Sequence, residues 1–485
     1  MSSDGPVLEL CQQCCWAVGN LAGDSQPARD AARQAGVVQP LVTVLSKGME
    51  LKHTAICRNA AWALSNLTRG VTTSGKEFCG TSLLTPTLVA SVLMSPEQQL
   101  STTVFSVWWM NVANEMCWIL AFLTAREDEV VDFLCQPSTE LAWLMPHTQT
   151  VVCAALSHRL DQAAHAVRNA TAASSDTALR ALRIAVPCLR SIGNIATACQ
   201  GRHIGTLLHK TTILDSLKLL IASGVAVNNG DVVSVAVEAA WAAGTLLCDA
   251  GLSEHPSTTH ACPVLLPVLC QTVASEHAKL NLKREAVLAL WNAVASPPTM
   301  GDAWSSLSVR DGFLQQIAEC QGMVTTLTDL MLSVDADLAL GSVRLINALL
   351  RRLEGLVLKE FVEANGLDAL EAVCDRASQN NAYEGRHGWQ GGVDATDEYS
   401  ETAADLIDDL FGDKIEGAMC SMESSPEGMP MPDSFSFIDP KMQQTSDFHE
   451  QQAQSLAFPK ASSGTAGGGR GRGKTTPAWM QHSER

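Results

Sequence analysis

Tryptophan and asparagine recur in this chain at a spacing of four. Trp16 precedes Asn20 and Trp62 precedes Asn66; altered copies pair Trp118 with Phe122, Arg190 with Asn194, Trp241 with Thr245 and Leu288 with Asn292. On a helix this spacing puts both side chains on one face, one turn apart. A single pair of this kind is ordinary helix packing. Several of them on helices stacked side by side would make a row of indole slots flanked by a row of amides. An extended peptide laid across that row could have its backbone N–H and C=O groups held by asparagine while lysine or arginine side chains slide between the rings. Cation–π attraction contributes roughly 0.5–2 kcal/mol per slot, and the apolar stems of the cations pack on the indoles.

Acidic residues stand where such a groove would use them. Glu115, Glu238 and Glu285 each precede a position of the indole row by three residues, a spacing that also shares the helical face. Asp24 follows Asn20 just beyond the first Trp/Asn helix. A carboxylate at these places can meet an ammonium or guanidinium emerging from a slot, although for any one of them a solvated charge on a helix face is the plainer alternative.

Other chemistries lack their residue sets. The chain has no phosphate loop, no Gly-x-Ser-x-Gly elbow and no set of metal ligands. Cys11-x-x-Cys14 has the spacing of a zinc pair, but no second pair or nearby histidine completes four ligands. His53, His158, His165 and His203 adjoin no nucleophile and are expected on exposed helix ends. No catalytic residue, cofactor or metal is assigned, and the chain is expected not to be an enzyme.

The groove positions need a repeated helical unit to carry them. Residues 8–22 read as a helix ending at Gly23-Asp24-Ser25, followed by a short helix; Gly36 allows a sharp turn, Pro40 suits a first helical turn, and residues 56–68 supply the next Trp/Asn helix. The unit is a short helix, a helix entered through Gly or Pro, and a long helix bearing the pair, about 45 residues in all, within the range of armadillo and HEAT arrays. It returns around Trp118, Asn194, Trp241 and Leu288, and Gly322 and Gly366 open two further units. Surplus residues read as insertions near 91–112, 146–180 and 380–398. The expected organisation is a disordered 1–7, a solenoid of about eight repeats over 8–415, and a disordered, low-complexity tail over 416–485. The tail is too poor in periodic apolar residues to offset its ordering entropy.

Composition agrees with this plan. A chain of 485 residues would normally split into two or three domains, whereas a repeat array extends one core along its length. Abundant Ala and Leu with only 5% aromatic residues mark an all-α class. A net charge of −18 fits a basic partner and argues against nonspecific nucleic-acid binding. The one clear basic cluster, Gly469 to Lys474 in the tail, reads either as a short contact with RNA or an acidic partner or as solvated linker. Sixteen cysteines, mostly on apolar helical faces, read as buried free thiols in a reducing compartment. No apolar run reaches the roughly 18 uncharged residues that span a bilayer, so a soluble, intracellular chain is expected.

The runs Trp16-Ala17-Val18-Gly19-Asn20-Leu21-Ala22-Gly23-Asp24-Ser25, Arg58-Asn59-Ala60-Ala61-Trp62-Ala63-Leu64-Ser65-Asn66-Leu67, Leu189-Arg190-Ser191-Ile192-Gly193-Asn194-Ile195 and Gly366-Leu367-Asp368-Ala369-Leu370-Glu371 resemble importin α, the armadillo adaptor that recognises nuclear-localisation peptides. The likeness runs in order over residues 8–412, and Arg190 in the place of Trp matches the family's sixth repeat. The resemblance implies a right-handed armadillo superhelix. It implies a major peptide site at Trp16, Asn20, Asp24, Trp62, Asn66, Glu115 and Trp118, with Asp24 pairing the key lysine of the bound signal. It implies a minor site at Arg190, Asn194, Glu238, Trp241, Glu285 and Asn292. Nuclear import, basic nuclear-localisation peptides and an export receptor as partners, and residence in cytoplasm and nucleus follow from the same resemblance. Departures weaken parts of it. Phe122 replaces Tyr, Thr245 replaces Asn and Leu288 replaces Trp, with Trp291 nearby as a partial refill. The match begins at the family's third repeat, and residues 1–7 lack the basic cluster that binds importin β. Binding to importin β is therefore open, and the alternative is an armadillo scaffold for protein–protein interaction that has lost importin-β-dependent transport.

Overall fold

The computed structural model describes residues 5–69, 75–79, 81, 83, 89, 103–125, 127–136, 150–169, 176–209, 211–227, 229–248, 261–295, 304–384 and 395–408. They lie within one compact unit, Met1–Met419. Residues 1–4, residues 91–102 of the insertion expected at 91–112, residues 385–394 of the insertion expected at 380–398, and the expected 416–485 tail with its Gly/Arg cluster lie outside the described residues.

Among the described residues every regular element is helical. The principal helices are α1 (Gly5–Asp24), α2 (Gln26–Gln34), α3 (Val38–Glu50), α4 (Thr54–Thr68), α5 (Thr103–Thr124), α6 (Asp128–Leu134), α7 (Val151–Asn169), α8 (Asp176–Thr197) and α9 (Ile213–Ala226). They continue as α10 (Gly230–Cys248), α11 (Ala261–Ala274), α12 (Leu280–Val294), α13 (Trp304–Ala318), α14 (Met323–Leu330), α15 (Ala336–Glu363), α16 (Gly366–Glu384) and α17 (Ala395–Ile407).

Local chemistry sets the boundaries. Ser25 caps α2, its Oγ accepting from the Ala28 N–H at 3.4 Å, with Pro27 in the first turn. Gly36 turns the chain at φ +74°, a conformation costly for a residue with a Cβ. Nδ1 of His53 accepts from the Ile56 N–H to start α4, and Asp335 Oδ1 accepts from the Leu338 N–H to start α15.

The helices form two rows. In the front row α1, α4, α5, α8, α10, α12, α15 and α17 pack each against the next. Behind it α7, α9, α11, α14 and α16 stack in the same order, and each packs on the front helix that follows it, as α3 packs on α4. Leu41, Val42 and Leu45 of α3 meet Ala60, Leu64 and Leu67 of α4 in a single core that runs on to Leu406. Fully burying each such Leu, Ile or Val contributes about 1.5–3 kcal/mol. An all-α armadillo-repeat solenoid is therefore the architecture, and the front row carries the Trp/Asn positions.

Three expectations about element limits need correction. α1 begins at Gly5, inside the segment read as a disordered N-terminus. Residues 103–112 are no insertion but the first half of α5, with Trp109, Met110 and Val112 buried. Residues 151–169, read as insertion because they are rich in Ala, Ser and His, form the back-row helix α7 with Leu156, Leu160, Ala163 and Val167 buried. α8 then starts at Asp176. Small apolar side chains at helical spacing suffice to seat α7 against α8 and α9. The last third of α15 follows a kink at Leu353, whose φ of −134° is non-helical. α10 is long and apolar enough by length and composition to cross a membrane, but 67% of it is buried, between α8, α9 and α12.

Candidate functional site

Glycine explains how the front row closes up. The Trp62 indole lies on Gly19, where a Cβ would stand 2.4 Å from Cε3 and Cζ3; the Trp241 indole lies on Gly193, where a Cβ would stand 2.3 Å from Cζ3. In both cases the glycine is the residue before the Asn position of the preceding front helix. Each indole thus roofs the backbone of the helix before it. Where Leu288 replaces Trp, Gly244 is met instead by the Ala289 backbone at 3.1 Å and by Asn292 Nδ2 at 3.4 Å.

The amides follow the same register. Asn66 Nδ2 donates to the Gly19 carbonyl at 3.1 Å, Asn194 Nδ2 to the Ala121 carbonyl at 3.1 Å and to Thr124 Oγ1 at 3.2 Å, and Asn292 Nδ2 to the Gly244 carbonyl at 3.4 Å. Every carbonyl accepting these bonds belongs to the residue before the Asn position one front helix earlier. Asn66 is only 5% exposed, and its Oδ1 accepts from Arg69 Nη1 at 3.2 Å. The row of amides expected to clamp a peptide backbone is, at these positions, a row of ties between helices. Thr245 bonds back to the Ala242 carbonyl of its own helix, so the step from α8 to α10 lacks the tie. Asn20, first in the row, is exposed and donates to the Trp16 carbonyl at 2.9 Å.

The carboxylates also have partners within the chain. Glu115 is buried and hydrogen-bonded to the side chains of Ser65 and Asn114; burial pushes its pKa up, with the bond from Ser65 and the nearby Arg69 opposing. Glu238 takes the Arg190 guanidinium through two bonds, Nη2 to Oε1 at 2.7 Å and Nε to Oε2 at 3.2 Å. The same guanidinium carbon sits 5.7 Å from the centroid of the Trp118 ring, which stacks on Phe122 at 5.5 Å. Arg190, expected as a peptide contact of the minor site, therefore places its own cation between Trp118 and Glu238. Glu285, its pKa raised chiefly by burial, is met by Arg284 Nε at 3.2 Å, and Arg284 Nη1 also reaches Asp335 at 3.1 Å. Arg344 lies 5.8 Å from the Trp291 ring centroid.

The open part of the row is its first part. Trp16 is 44% exposed, Asn20 and Asp24 are exposed, and Trp62 and Trp118 are half-buried. From Arg190 to Asn292 the chain's own arginines and amides occupy the expected peptide contacts, and Trp241 is half-buried over Gly193. The cue for this was present: Gly19 and Gly193 each precede the Asn of their motif, and only a residue without a Cβ lets the next indole lie that close.

The described cysteines agree with the expectation of free thiols, whereas His53 and His203 are less exposed than expected. The described cysteines are free, and burial pushes Cys15 and Cys57 up to about 12. His158 and His165 are exposed, but His203 is not; its side chain is 13% exposed and its Nε2 lies 2.6 Å from Asp132 Oδ1. Among the described residues Cys11 and Cys14 join no other ligand set, whereas Asp132, Cys199 and His203 group together.

The Armadillo/beta-catenin-like repeat family matches residues 25–69, which comprise α2 to α4 and so include Trp62 and Asn66. Importin subunit alpha-9 of Arabidopsis thaliana is 25% identical over 272 residues, 55% of this chain and 42% of that protein. Importin subunit alpha-1b of Oryza sativa subsp. japonica is 26% identical over 159 residues, covering 30% of this chain and 26% of its own length. Importin subunit alpha-2 of Arabidopsis thaliana is 40% identical over 62 residues, 13% of this chain and 11% of that protein. In each match the chain spans less than half of the relative's length. With its stacked rows of helices, one matched repeat and these partial likenesses, the chain has an armadillo-repeat fold and is similar over part of its length to importin α subunits.

Proposed function

We propose that this protein binds extended, lysine- and arginine-rich peptides along the first part of its front row, with Trp16, Asn20, Asp24, Trp62 and Trp118 as contacts, and serves as a nuclear-import adaptor. The observation that carries the reading is Arg190. A guanidinium held between the Trp118 face and the Glu238 carboxylate supports the reading, because aromatic face and carboxylate together are what a cationic peptide would use. At the exposed end, Trp16 offers the face, Asn20 the amide and Asp24 the carboxylate. The net charge of −18 adds long-range attraction for a basic partner. On this reading the protein has no catalytic role, moves between cytoplasm and nucleus, and uses basic nuclear-localisation peptides of cargo proteins as partners.

Fluorescence anisotropy of a labelled lysine-rich signal peptide tests it, comparing the wild type with a Trp16→Ala, Asn20→Ala, Asp24→Lys triple variant. Loss of one cation–π slot and one ion pair, about 2 kcal/mol together, weakens binding roughly 30-fold. Equal affinities remove the groove from the account.

A second reading, an armadillo scaffold without importin-β-dependent transport, draws on the closed stretch from Arg190 to Asn292. Pull-down separates the two: recovery of importin β or an export receptor supports transport, and recovery of other proteins without either supports scaffolding.

A further inference from the structure

Away from the front row, one cluster brings three different metal-ligating side chains together. α6 supplies Asp132, and the turn that follows α8 supplies Cys199 and His203. His203 Nε2 and Cys199 Sγ lie 2.6 Å and 3.2 Å from the same atom, Asp132 Oδ1, and the three donor atoms fall within 4.8 Å of one another. Tetrahedral zinc, with bonds of about 2.0–2.3 Å, spaces its ligand atoms about 3.3–3.6 Å apart. Opening the 2.6 Å contact by less than about 1 Å would therefore admit the ion.

The backbone presents the ligands together. Cys199 has φ +54° and Gly201 φ +74°, so the turn Cys199-Gln200-Gly201-Arg202-His203 bends through the left-handed region twice. A residue with a Cβ rarely adopts that conformation, and such outliers collect at functional sites. The polar neighbours also suit a cation. Cys199 Sγ lies 3.5 Å from the Asp128 carbonyl oxygen, which adds a fourth electron-rich atom. Arg202 Nη1 stands 3.6 Å from Asp132 Oδ1, but its side chain is 67% exposed and free to swing into solvent. Cys199 is buried, while the Asp132 side chain is 36% exposed and leaves one side of the cluster open to water.

We propose that Asp132, Cys199 and His203 bind one zinc ion, with water as the fourth ligand. Cys199 gives its thiol proton to solvent, His203 coordinates as neutral imidazole through Nε2, and Asp132 coordinates as carboxylate, so two anionic ligands balance the dication and no redox change occurs. The ion clasps α6 to the turn after α8, residues 67 to 71 apart in sequence, and so locks two neighbouring repeats. This inference is independent of the peptide-binding reading.

The full chain, reduced and metal-free, is titrated with cobalt and then with zinc. One equivalent of cobalt gives a thiolate-to-cobalt charge-transfer band with the visible bands of a tetrahedral site, and zinc displaces it. Cys199→Ser abolishes the charge-transfer band, and Asp132→Asn and His203→Gln each weaken zinc binding by about 100-fold or more. The Cys11→Ser, Cys14→Ser double variant leaves binding unchanged. A readout on the wild type covers the case of a variant that does not fold: zinc at about 100 times its Kd suppresses the local opening that exposes Cys199, slowing its alkylation roughly 100-fold by mass spectrometry. Absence of the charge-transfer band, its survival in Cys199→Ser, or alkylation of Cys199 unaffected by zinc overturns the proposal.

Discussion

If the Trp62 indole rests on the backbone of α1, adding one methyl group at residue 19 must disturb both. In Gly19→Ala the new Cβ would be placed 2.4 Å from Cε3 and Cζ3 of Trp62, whereas carbon atoms pack at about 3.5–4.0 Å. The ring must retreat by about 1 Å or more, and overpacking of this kind costs about 1–3 kcal/mol. Replacing a helical Gly by Ala returns about 0.8–1.0 kcal/mol of helix propensity. The net expectation in the intact protein is a loss of about 1 kcal/mol. In a Trp62→Ala background the clash is gone, so the same Gly19→Ala substitution becomes stabilising by about 1 kcal/mol. The coupling between the two positions, about 2 kcal/mol, is then the cost of the clash itself. Because a repeat array need not unfold in one step, the assay is hydrogen exchange of α1 and α4 amides, which reports local opening free energies. Gly312→Ala in α13, where a Cβ would meet nothing within 4 Å, is the control. The packing of Trp62 on α1 is refuted if Gly19→Ala proves as benign as Gly312→Ala while Trp62 is present.

Three further outcomes are expected. Asn66→Ala removes the tie to the Gly19 carbonyl and loosens α4 against α1 by about 1 kcal/mol, seen as faster exchange in both helices; unchanged exchange would dismiss the tie. Glu115 has its pKa raised by burial, so the folded state holds the proton more tightly than the unfolded state, and its contribution to stability falls as pH rises from the unfolded value through the folded pKa. Glu115→Gln should therefore gain on the wild type as pH rises above about 4.3, and a difference in denaturation midpoint that is flat with pH would contradict this. Arg190→Met leaves the half-buried Glu238 without its guanidinium, costing about 1–2 kcal/mol that Arg190→Met, Glu238→Leu recovers, and it uncovers the Trp118 face. Binding of an arginine-rich peptide should tighten in the single variant, and an affinity that does not move would show that the slot stays shut.

Much of the fold could be read from the chain, because its strongest signals are local. Ser25, Pro27, Gly36 and Pro40 act on their own backbone, and they place the limits of α2 and α3 without knowledge of any neighbour. The spacing of four identified the front-row helices for the same reason. α7 was lost because its core face is built from Ala, Val and Leu diluted by Ser, His and Gln, a composition shared with polar linkers. The site was only half legible. Periodicity tells which face Asn66 and Arg190 occupy, but whether that face meets solvent or the next helix depends on separations between segments 47 and 48 residues apart. The readable trace of that closeness is the glycine before Asn20, Asn194 and Thr245, a residue whose effect is felt by the following repeat. Asp132 and His203 were missed on similar grounds, since they meet across 71 residues.

The same groups that would hold a peptide also hold this stack together, and that sets how binding can occur. An amide such as Asn66 cannot clamp a foreign backbone through the N–H it gives to Gly19 without loosening α1 from α4, and a cation cannot take the face of Trp118 that Arg190 covers without displacing Arg190 from Glu238. Peptide affinity must therefore be highest where no bond between helices has to be broken, at Trp16, Asn20 and Asp24, the amide of Asn20 being bonded only within its own helix, to the Trp16 carbonyl. Further along the row it falls by the strength of the internal bond that is broken. A peptide with one well-placed lysine at the open end should outcompete a longer one whose cations all fall opposite Arg190 and Arg284, although the longer peptide carries more charge.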